Sequence, residues 1–288
     1  MNKKYKRVFS INLQPGYRNY TVKDLQDIKG KRKLTQILVS DALEASAAEE
    51  AGIDLILAKP DENVPLIRKA APKTFMTVSV PFIKYSSKED IVKKALELVE
   101  YGADSIHCGS WNLNFMKYLN EFKIPFQGHA GLVPRRSTWI GGVRAFGKNA
   151  EEASKLLNDI WDIEETGAWG VEVECVPEEI LGEITKQTKL LTLSIGSGKK
   201  SDVQFLFAED ILGCSSIDTP RHAKMYANFN KLNDQIQKER IKAFKKYDLE
   251  VKKGIFPSKK HSISIDKKEL ISFKKSLRVK KDNEISKK

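Results

Sequence analysis

The chain has no uninterrupted apolar stretch approaching the ~18 residues of a membrane-spanning helix, and no run of the kind that forms a signal-peptide core. Its basic start, Met1-Asn2-Lys3-Lys4-Tyr5-Lys6-Arg7, leads only into Val8-Phe9-Ser10-Ile11, too short an apolar run for export. Cysteine is scarce as well. Cys108, Cys175 and Cys214 have neither metal-binding spacing nor the even count of a disulfide framework, so a reducing, cytoplasmic setting is expected. Acidic residues are outnumbered, 38 against 50 Lys and Arg, for a formal net charge of +12. That excess sits at one end: residues 251–288 hold 13 Lys or Arg against 4 Asp or Glu, a net +9, which leaves +3 for the preceding 250 residues. A basic tail can attract polyanions, but no finger, helix-turn-helix or aromatic recognition signature accompanies it. A solvated lysine-rich tail is the expectation. A glycine-rich turn after the first strand, the mark of a dinucleotide-binding sheet, is missing too.

What is present is a rhythm. At 288 residues and 41% hydrophobic content the chain can bury a large core. From about residue 35, short β-prone runs alternate with helix-compatible segments. Gln36-Ile37-Leu38-Val39 precedes Asp41 to Ala51, Asp54-Leu55-Ile56-Leu57-Ala58 precedes residues 62–70, Phe75-Met76-Thr77-Val78-Ser79 precedes Glu89 to Tyr101, and Ser105-Ile106-His107 precedes Asn112 to Phe122. A helix-compatible segment over 149–166 then leads into Gly170-Val171-Glu172-Val173-Glu174, and another over 178–187 leads into Leu190-Leu191-Thr192-Leu193-Ser194-Ile195. Residues 202–210, helix-compatible, followed by Ile211-Leu212-Gly213-Cys214, complete the series. Runs this short cannot form a core alone, and about eight such units predict a TIM (β/α)8 barrel, an α/β fold. Ala51-Gly52-Ile53-Asp54, Tyr101-Gly102-Ala103-Asp104 and Thr166-Gly167-Ala168-Trp169 mark helix ends, where glycine permits a left-handed cap. The expected division is an N-terminal extension over 1–30, the barrel and its closing segment over 31–263, and a basic C-terminal tail over 264–288. In that tail Leu270, Ile271, Phe273 and Leu277 permit a short amphipathic helix.

Active sites of such barrels lie at the C-terminal ends of the strands, which predicts that Ser79, His107, His129, Glu174 and Ser194 face one mouth. The string Gln127-Gly128-His129-Ala130-Gly131-Leu132-Val133-Pro134-Arg135-Arg136 follows the apolar run Lys123-Ile124-Pro125-Phe126. It is expected to be a loop that presents an imidazole and two cations to an anionic ligand. In Val171-Glu172-Val173-Glu174, strand alternation puts both carboxylates on one face, either a charged interior layer or the rim of the mouth. His107 and Cys108 are neighbours, so they point to opposite faces and form no dyad. A metal shared by His107 and His129 is one reading of that pair, because imidazole favours softer ions than magnesium. His222 and His261 have no comparable ligand set.

Together, five strings resemble ketopantoate hydroxymethyltransferase, also called 3-methyl-2-oxobutanoate hydroxymethyltransferase. They are Val80-Pro81-Phe82, Gly128-His129-Ala130-Gly131-Leu132-Val133-Pro134, Glu174-Cys175-Val176-Pro177, Ile195-Gly196-Ser197-Gly198 and Gly254-Ile255-Phe256-Pro257-Ser258-Lys259-Lys260-His261-Ser262, in family order within residues 30–263. The resemblance implies a TIM barrel that moves a hydroxymethyl unit from 5,10-methylenetetrahydrofolate to 3-methyl-2-oxobutanoate through an enolate, an early step of pantothenate biosynthesis. It also implies a magnesium ion that polarises the 2-oxoacid, and a homo-oligomer, commonly a decamer. Glu174 matches the family's proton-transfer glutamate and His129 the histidine of its Gly-His-x-Gly loop, roles that enolisation needs.

This chain departs from the family at its metal. Where the family carries a Gly-Asp-Ser metal site it reads Leu57-Ala58-Lys59-Pro60-Asp61, and the substrate loop that follows is shortened. The second metal aspartate is replaced by Ser79, and a Lys-x-Glu substrate pair falls at His107 and Gly109. A hydroxyl cannot replace a carboxylate for a hard magnesium ion, so the sequence assigns no metal ligand, and no residue is assigned to the folate. The candidate catalytic residues are Glu174 and His129; the candidate substrate-binding residues are Ser79, His107, Arg135, Arg136 and Lys59. Lys59 would hold a 2-oxoacid electrostatically or form an imine with it, and Asp61 would be a displaced metal ligand or a helix N-cap. Beside the transferase reading stand a divergent 2-oxoacid aldolase or lyase and a non-catalytic ligand-binding homologue.

Overall fold

The computed structural model of the chain describes residues 5–10, 13–80, 84–109, 112–215 and 220–285, without the side chains of 278–285. Pro81 and Phe82 of the Val80-Pro81-Phe82 string lie outside them. Contacts divide the chain into two compact units, Met1–Asn228 and Phe229–Lys288.

In the first unit, β1 (Lys6–Phe9) and β2 (Pro15–Arg18) pair antiparallel. Helix α1 (Val22–Ile28) begins with a capping box, in which the Thr21 hydroxyl accepts from Asp24 N and the Asp24 carboxylate accepts from Thr21 N. Eight parallel strands follow: β3 (Leu34–Val39), β4 (Leu55–Ala58), β5 (Phe75–Ser79), β6 (Ser105–His107), β7 (Phe126–Gly131), β8 (Gly170–Glu174), β9 (Leu191–Ile195) and β10 (Val203–Phe207). They close in the order β10-β3-β4-β5-β6-β7-β8-β9, a TIM barrel as the rhythm predicts. Between strands run α2 (Ala42–Ala51), α3 (Val64–Ala70), α4 (Lys88–Glu100), α5 (Leu113–Glu121), α6 (Ala150–Glu165) and α7 (Glu178–Gln187), and α8 (Ala208–Leu212) follows β10.

Side-chain alternation sorts the strands into two faces. Outward residues such as Val39, Ile56, Met76, Val78, Ile106, Phe126, Val171 and Val173 pack with the helices' buried stripes. Helix α4 shows why such a segment folds: Ser87 accepts from Asp90 N at its start, and Ile91, Val92, Ala95 and Leu98 recur on one face. Burying its Ile and Leu side chains stabilises the fold by about 1.5–3 kcal/mol each. Inward residues make layers. At the N-terminal end Leu34, Leu55, Phe75, Leu191, Leu193 and Val203 cluster with Tyr20 and, from α1, Leu25. Nearer the C-terminal end Leu57, Ile195 and Phe205 pack with Leu38 and Phe207.

The aspartates of the Gly-x-Asp punctuation anchor the N-terminal end. Asp104 accepts from Arg18 Nε and Arg68 Nη2, each at 2.7 Å, and from Met76 N at 2.9 Å. Arg68 also donates to the carbonyls of Ala71, Thr74 and Gly102; its burial pulls its pKa down to about 10 even though Asp104 opposes that shift. Asp54 accepts from Tyr20 Oη, Arg32 and Thr35 N, and burial together with the Asp54 charge pushes Tyr20 up to about 12.

Three local expectations are corrected. Val203 to Phe207 is a strand rather than part of a helix, because Val203, Phe205 and Phe207 alternate inward with period two; Ile211 and Leu212 end a helix capped at Gly213, φ 64°. Among the described residues no helix joins β9 to β10; residues 196–202 make a turn that Asp202 secures by accepting from Lys29 Nζ, Gly30 N, Thr192 N and Thr192 Oγ1. Asp61 does not cap α3, whose N-cap is Asn63; its carboxylate accepts from Asn63 N at 2.9 Å in the preceding turn.

The second unit holds α9 (Phe229–Lys252), a 3-10 turn over Lys259–His261 and α10 (Lys267–Ile285), longer than the short helix expected. Phe256 packs against Tyr247 and His261, with ring centroids 5.7 and 5.1 Å away.

Candidate active site

The strands β5 to β8 place Ser79, His107, His129, Glu172 and Glu174 on the inner face near their C-terminal ends. Register explains the convergence: Ser79 lies opposite His107 and His129 opposite Glu172, one strand spacing apart, while Gly131 opposite Glu174 has no side chain and leaves Glu174 to meet His129. His129 Nε2 lies 3.1 Å from Glu174 Oε2 and 3.7 Å from Glu172 Oε1. His107 Nε2 lies 3.3 Å from Glu172 Oε2, and its Nδ1 is 3.4 Å from Ser79 Oγ. The two imidazole centroids are 5.7 Å apart. Glu172 is enclosed, with 8% of its side chain exposed, whereas Glu174 at the strand end keeps 18%.

The charges hold one another. Burial pulls the His129 pKa down, but the Glu172 charge, the Glu174 hydrogen bond and charge, and the Leu132 backbone outweigh it and hold the imidazole above its ordinary value. Burial pushes Glu172 up, but the charge of His129 and the proximity of His107 outweigh that and hold its carboxyl below the usual range. Two backbone features fix the Glu174 end. Gly131 takes φ +83° and passes so close to β8 that a Cβ there would stand 2.4 Å from the Glu174 carbonyl oxygen, which accepts from Leu132 N at 2.8 Å. Cys175 adopts φ 51°, uncommon for a residue with a side chain. Burial and the Glu174 charge raise its thiol pKa.

The Gln127 to Arg136 segment is thus corrected: Gln127 to Gly131 belong to β7, and His129 projects from a strand interior rather than from a loop. Strand pairing on both sides demands this extended backbone, which the two glycines concealed. The non-strand part begins at Leu132 and contains a 3-10 turn over Pro134–Arg136. There Arg135 is exposed, and half-buried Arg136 lines a small cavity with Asp159 and Asp162 of α6. Lys59 is exposed directly after β4, where its charge acts on Glu44.

Ser194 does not face the mouth. It sits opposite Val173 on the outer face, and its hydroxyl donates to the Gly198 carbonyl at 2.8 Å while accepting from Ser197 N at 3.2 Å. It lines a groove of about 660 Å³ along the outer side of β3, β9 and β10, which also includes Thr35, Ile37, Gln204 and Tyr226. Cys108 is buried in the strand–helix core, as its parity with His107 requires, and burial raises its thiol pKa. Glu172 is the member of this cluster not nominated from sequence. Its signal was the Val-Glu-Val-Glu alternation, which places a second carboxylate one layer below Glu174.

The magnesium that the resemblance implies does not fit these residues. Magnesium requires oxygen ligands in an octahedron, but the positions that correspond to the missing aspartates lead to the exposed Lys59 and to Ser79 beside His107. The convergent donors are instead two imidazoles and a carboxylate: His107, His129 and Glu172 offer ligand atoms within 4.8 Å of one another.

Fold and site together define a TIM-barrel protein that carries a buried acid–base cluster where barrels of this class place their active sites. The ketopantoate hydroxymethyltransferase family model matches residues 62–259. The 3-methyl-2-oxobutanoate hydroxymethyltransferase of Kosmotoga olearia is 34% identical over 82% of this chain and 94% of its own length. That of Thermotoga maritima is 32% identical over 84% and 96%, and that of Pyrococcus furiosus 32% over 85% and 92%. The chain belongs to the ketopantoate hydroxymethyltransferase family. A solved structure of oxaloacetate acetylhydrolase, 8% identical, superimposes with a TM-score of 0.50 over 76% of this chain and 85% of that one, a likeness of fold alone. No helix among the described residues is long and apolar enough to cross a membrane.

Proposed function

We propose that this chain transfers a hydroxymethyl group from 5,10-methylenetetrahydrofolate, acting as one-carbon donor, to 3-methyl-2-oxobutanoate. The observation that carries the reading is the Glu174–His129 pair, a partly open carboxylate at a strand end 3.1 Å from a buried imidazole. Glu174 takes the proton from C3 of the 2-oxoacid, and the electron pair moves to the keto oxygen as an enolate. His129, held above its ordinary pKa, supplies positive charge for that oxygen. The enolate carbon then bonds to the methylene carbon as a carbon–nitrogen bond breaks. Water then displaces the remaining nitrogen from that carbon, forming the carbon–oxygen bond as the second carbon–nitrogen bond breaks, and the donor's two nitrogens recover one proton from the 2-oxoacid and one from water.

Ser79 and His107 border the 2-oxoacid, while Lys59, Arg135 and Arg136 act at longer range by attracting its carboxylate. No step is assigned to magnesium, whose oxygen cage these residues do not build. The scarce cysteines support a cytoplasmic setting for the reaction, and the family resemblance implies a homo-oligomer.

The test separates the half-reactions. Purified protein should form 2-dehydropantoate from both substrates, and in deuterated water it should exchange the C3 hydrogen of 3-methyl-2-oxobutanoate without donor; Glu174→Gln should lower both by ~10²–10⁴. Exchange without transfer would replace the transferase by a 2-oxoacid aldolase or lyase. Ligand-dependent stabilisation without exchange would leave a binding protein.

A further inference from the structure

Among the described residues, buried His107 Nε2 makes no hydrogen bond of ordinary geometry, although Glu172 Oε2 lies only 3.3 Å away. A buried imidazole nitrogen left in that state is costly unless something else meets its lone pair. We propose that His107 Nε2, His129 Nε2 and the Glu172 carboxylate form a binding site for a borderline divalent transition ion of the zinc type, in place of magnesium.

Geometry, orientation and charge agree. A tetrahedral zinc centre with ligand bonds of ~2.0–2.2 Å separates its ligand atoms by about 3.3–3.5 Å. Here His107 Nε2 lies 3.3 Å from one Glu172 oxygen and His129 Nε2 lies 3.7 Å from the other, and one ligand atom from each of the three residues lies within 4.8 Å of the rest, so the set closes on an ion by small side-chain rotations. Both rings are held from behind, as metal-bound imidazoles are. Ser79 Oγ stands 3.4 Å from His107 Nδ1, and the Leu132 backbone hydrogen-bonds the His129 ring. An imidazole that ligates an ion does so in its neutral form, so a bound ion takes over the positive charge that His129 supplies in the metal-free chain, and the enclosed Glu172 carboxylate gives the site a negative charge that a divalent cation offsets. Two nitrogens and one carboxylate suit zinc, cobalt or iron and disfavour magnesium. Three protein ligands also leave a coordination position open.

The site does not rest on the transfer reaction, so the experiment reads binding without substrates. The full chain is stripped with a chelator and titrated with cobalt(II), followed by its visible d–d absorption. One ion per chain is expected, displaced by zinc and untouched by millimolar magnesium. Glu172→Gln and His107→Gln should weaken binding at least 100-fold with the circular dichroism unchanged. Ser79→Ala, which keeps all three ligands, should weaken it ~10–100-fold by freeing the His107 ring; it also decides the matter if a ligand variant fails to fold. His261→Ala should bind as the parent does. No cobalt bound, undiminished binding in Ser79→Ala or in a folded ligand variant, displacement by magnesium, or loss in His261→Ala would each overturn the site. Failure of hydroxymethyl transfer would leave it standing, and failure of metal binding would leave the transfer reaction standing.

Discussion

Replacing Gly131 by alanine tests whether the backbone crossing between β7 and β8 holds the Glu174–His129 geometry. Gly131 has φ +83°, a left-handed conformation that costs a residue with a Cβ ~1–2 kcal/mol. The added Cβ would also stand 2.4 Å from the Glu174 carbonyl oxygen and 2.9 Å from Val176 Cγ2. Reaching ordinary contact requires the two strands to part by roughly 1 Å, with an overpacking cost of ~1–3 kcal/mol. It also weakens the Leu132 N to Glu174 O bond, worth about 1 kcal/mol. The expected destabilisation is about 3–5 kcal/mol. Gly52 isolates the conformational part: its φ is +81° but nothing lies within 4 Å of the place a Cβ would take, so Gly52→Ala should lose only ~1–2 kcal/mol. Thermal unfolding should therefore place Gly131→Ala roughly 5–10 °C below Gly52→Ala. Because a ~1 Å displacement of a reacting group costs on the order of 100-fold, C3 exchange should fall by that factor in Gly131→Ala and stay unchanged in Gly52→Ala. Equal melting temperatures with full exchange in both would refute the idea that this crossing positions Glu174.

Further outcomes are expected elsewhere in the barrel. Ser194→Ala should cost about 1 kcal/mol in thermal unfolding through the lost bond to Gly198, with turnover within twofold of the parent; a tenfold loss of turnover at unchanged stability would return Ser194 to the mouth. Arg68→Met should cost ~3–5 kcal/mol in urea unfolding, because it strands three carbonyls and half of the Asp104 charge; a loss below 1 kcal/mol would remove this network from the stability argument. Asp202 concerns acid. Burial raises its pKa, but bonds from Thr192, Lys29 and Gly30 outweigh that and hold it below the usual carboxylate range. A depressed carboxyl contributes stability that is complete above its unfolded value and is lost as the pH falls through its folded one. Asp202→Asn should thus be ~2–3 kcal/mol less stable at neutral pH, with the gap narrowing below pH ~4; a gap constant down to pH ~2 would contradict the assignment.

The barrel was legible because its strands and helices obey local rules. Three glycine-marked helix ends and the Val-Ile-Leu runs from Leu34 to Ile195 place six strands, β3 to β6, β8 and β9, within a few residues. The other two were not legible. Val203-Gln204-Phe205-Leu206-Phe207 runs straight into Ala208–Leu212, so its alternation merges with a helical continuation, and only pairing with β3 and β9 separates them. The Gly-His-x-Gly string likewise read as a loop because its glycines signal turns locally, while pairing on both edges makes it a strand. In both places hydrogen bonds to distant segments overrode a weak local preference.

Family membership, the alternating fold and the candidates His129 and Glu174 followed from the sequence alone, since motif order and side-chain periodicity are properties of the linear chain. The parity of Glu172 with Glu174 was equally linear. Register decided the rest: closure of the barrel sets β6, β7 and β8 side by side and brings His107 and His129 to opposite oxygens of Glu172. It also turned Ser194 outward, while Lys59 and Arg135, outside the strands, are exposed. A one-residue shift in pairing would turn the strand residues to the opposite face, which is why the donor set at the centre of this site became visible only in three dimensions.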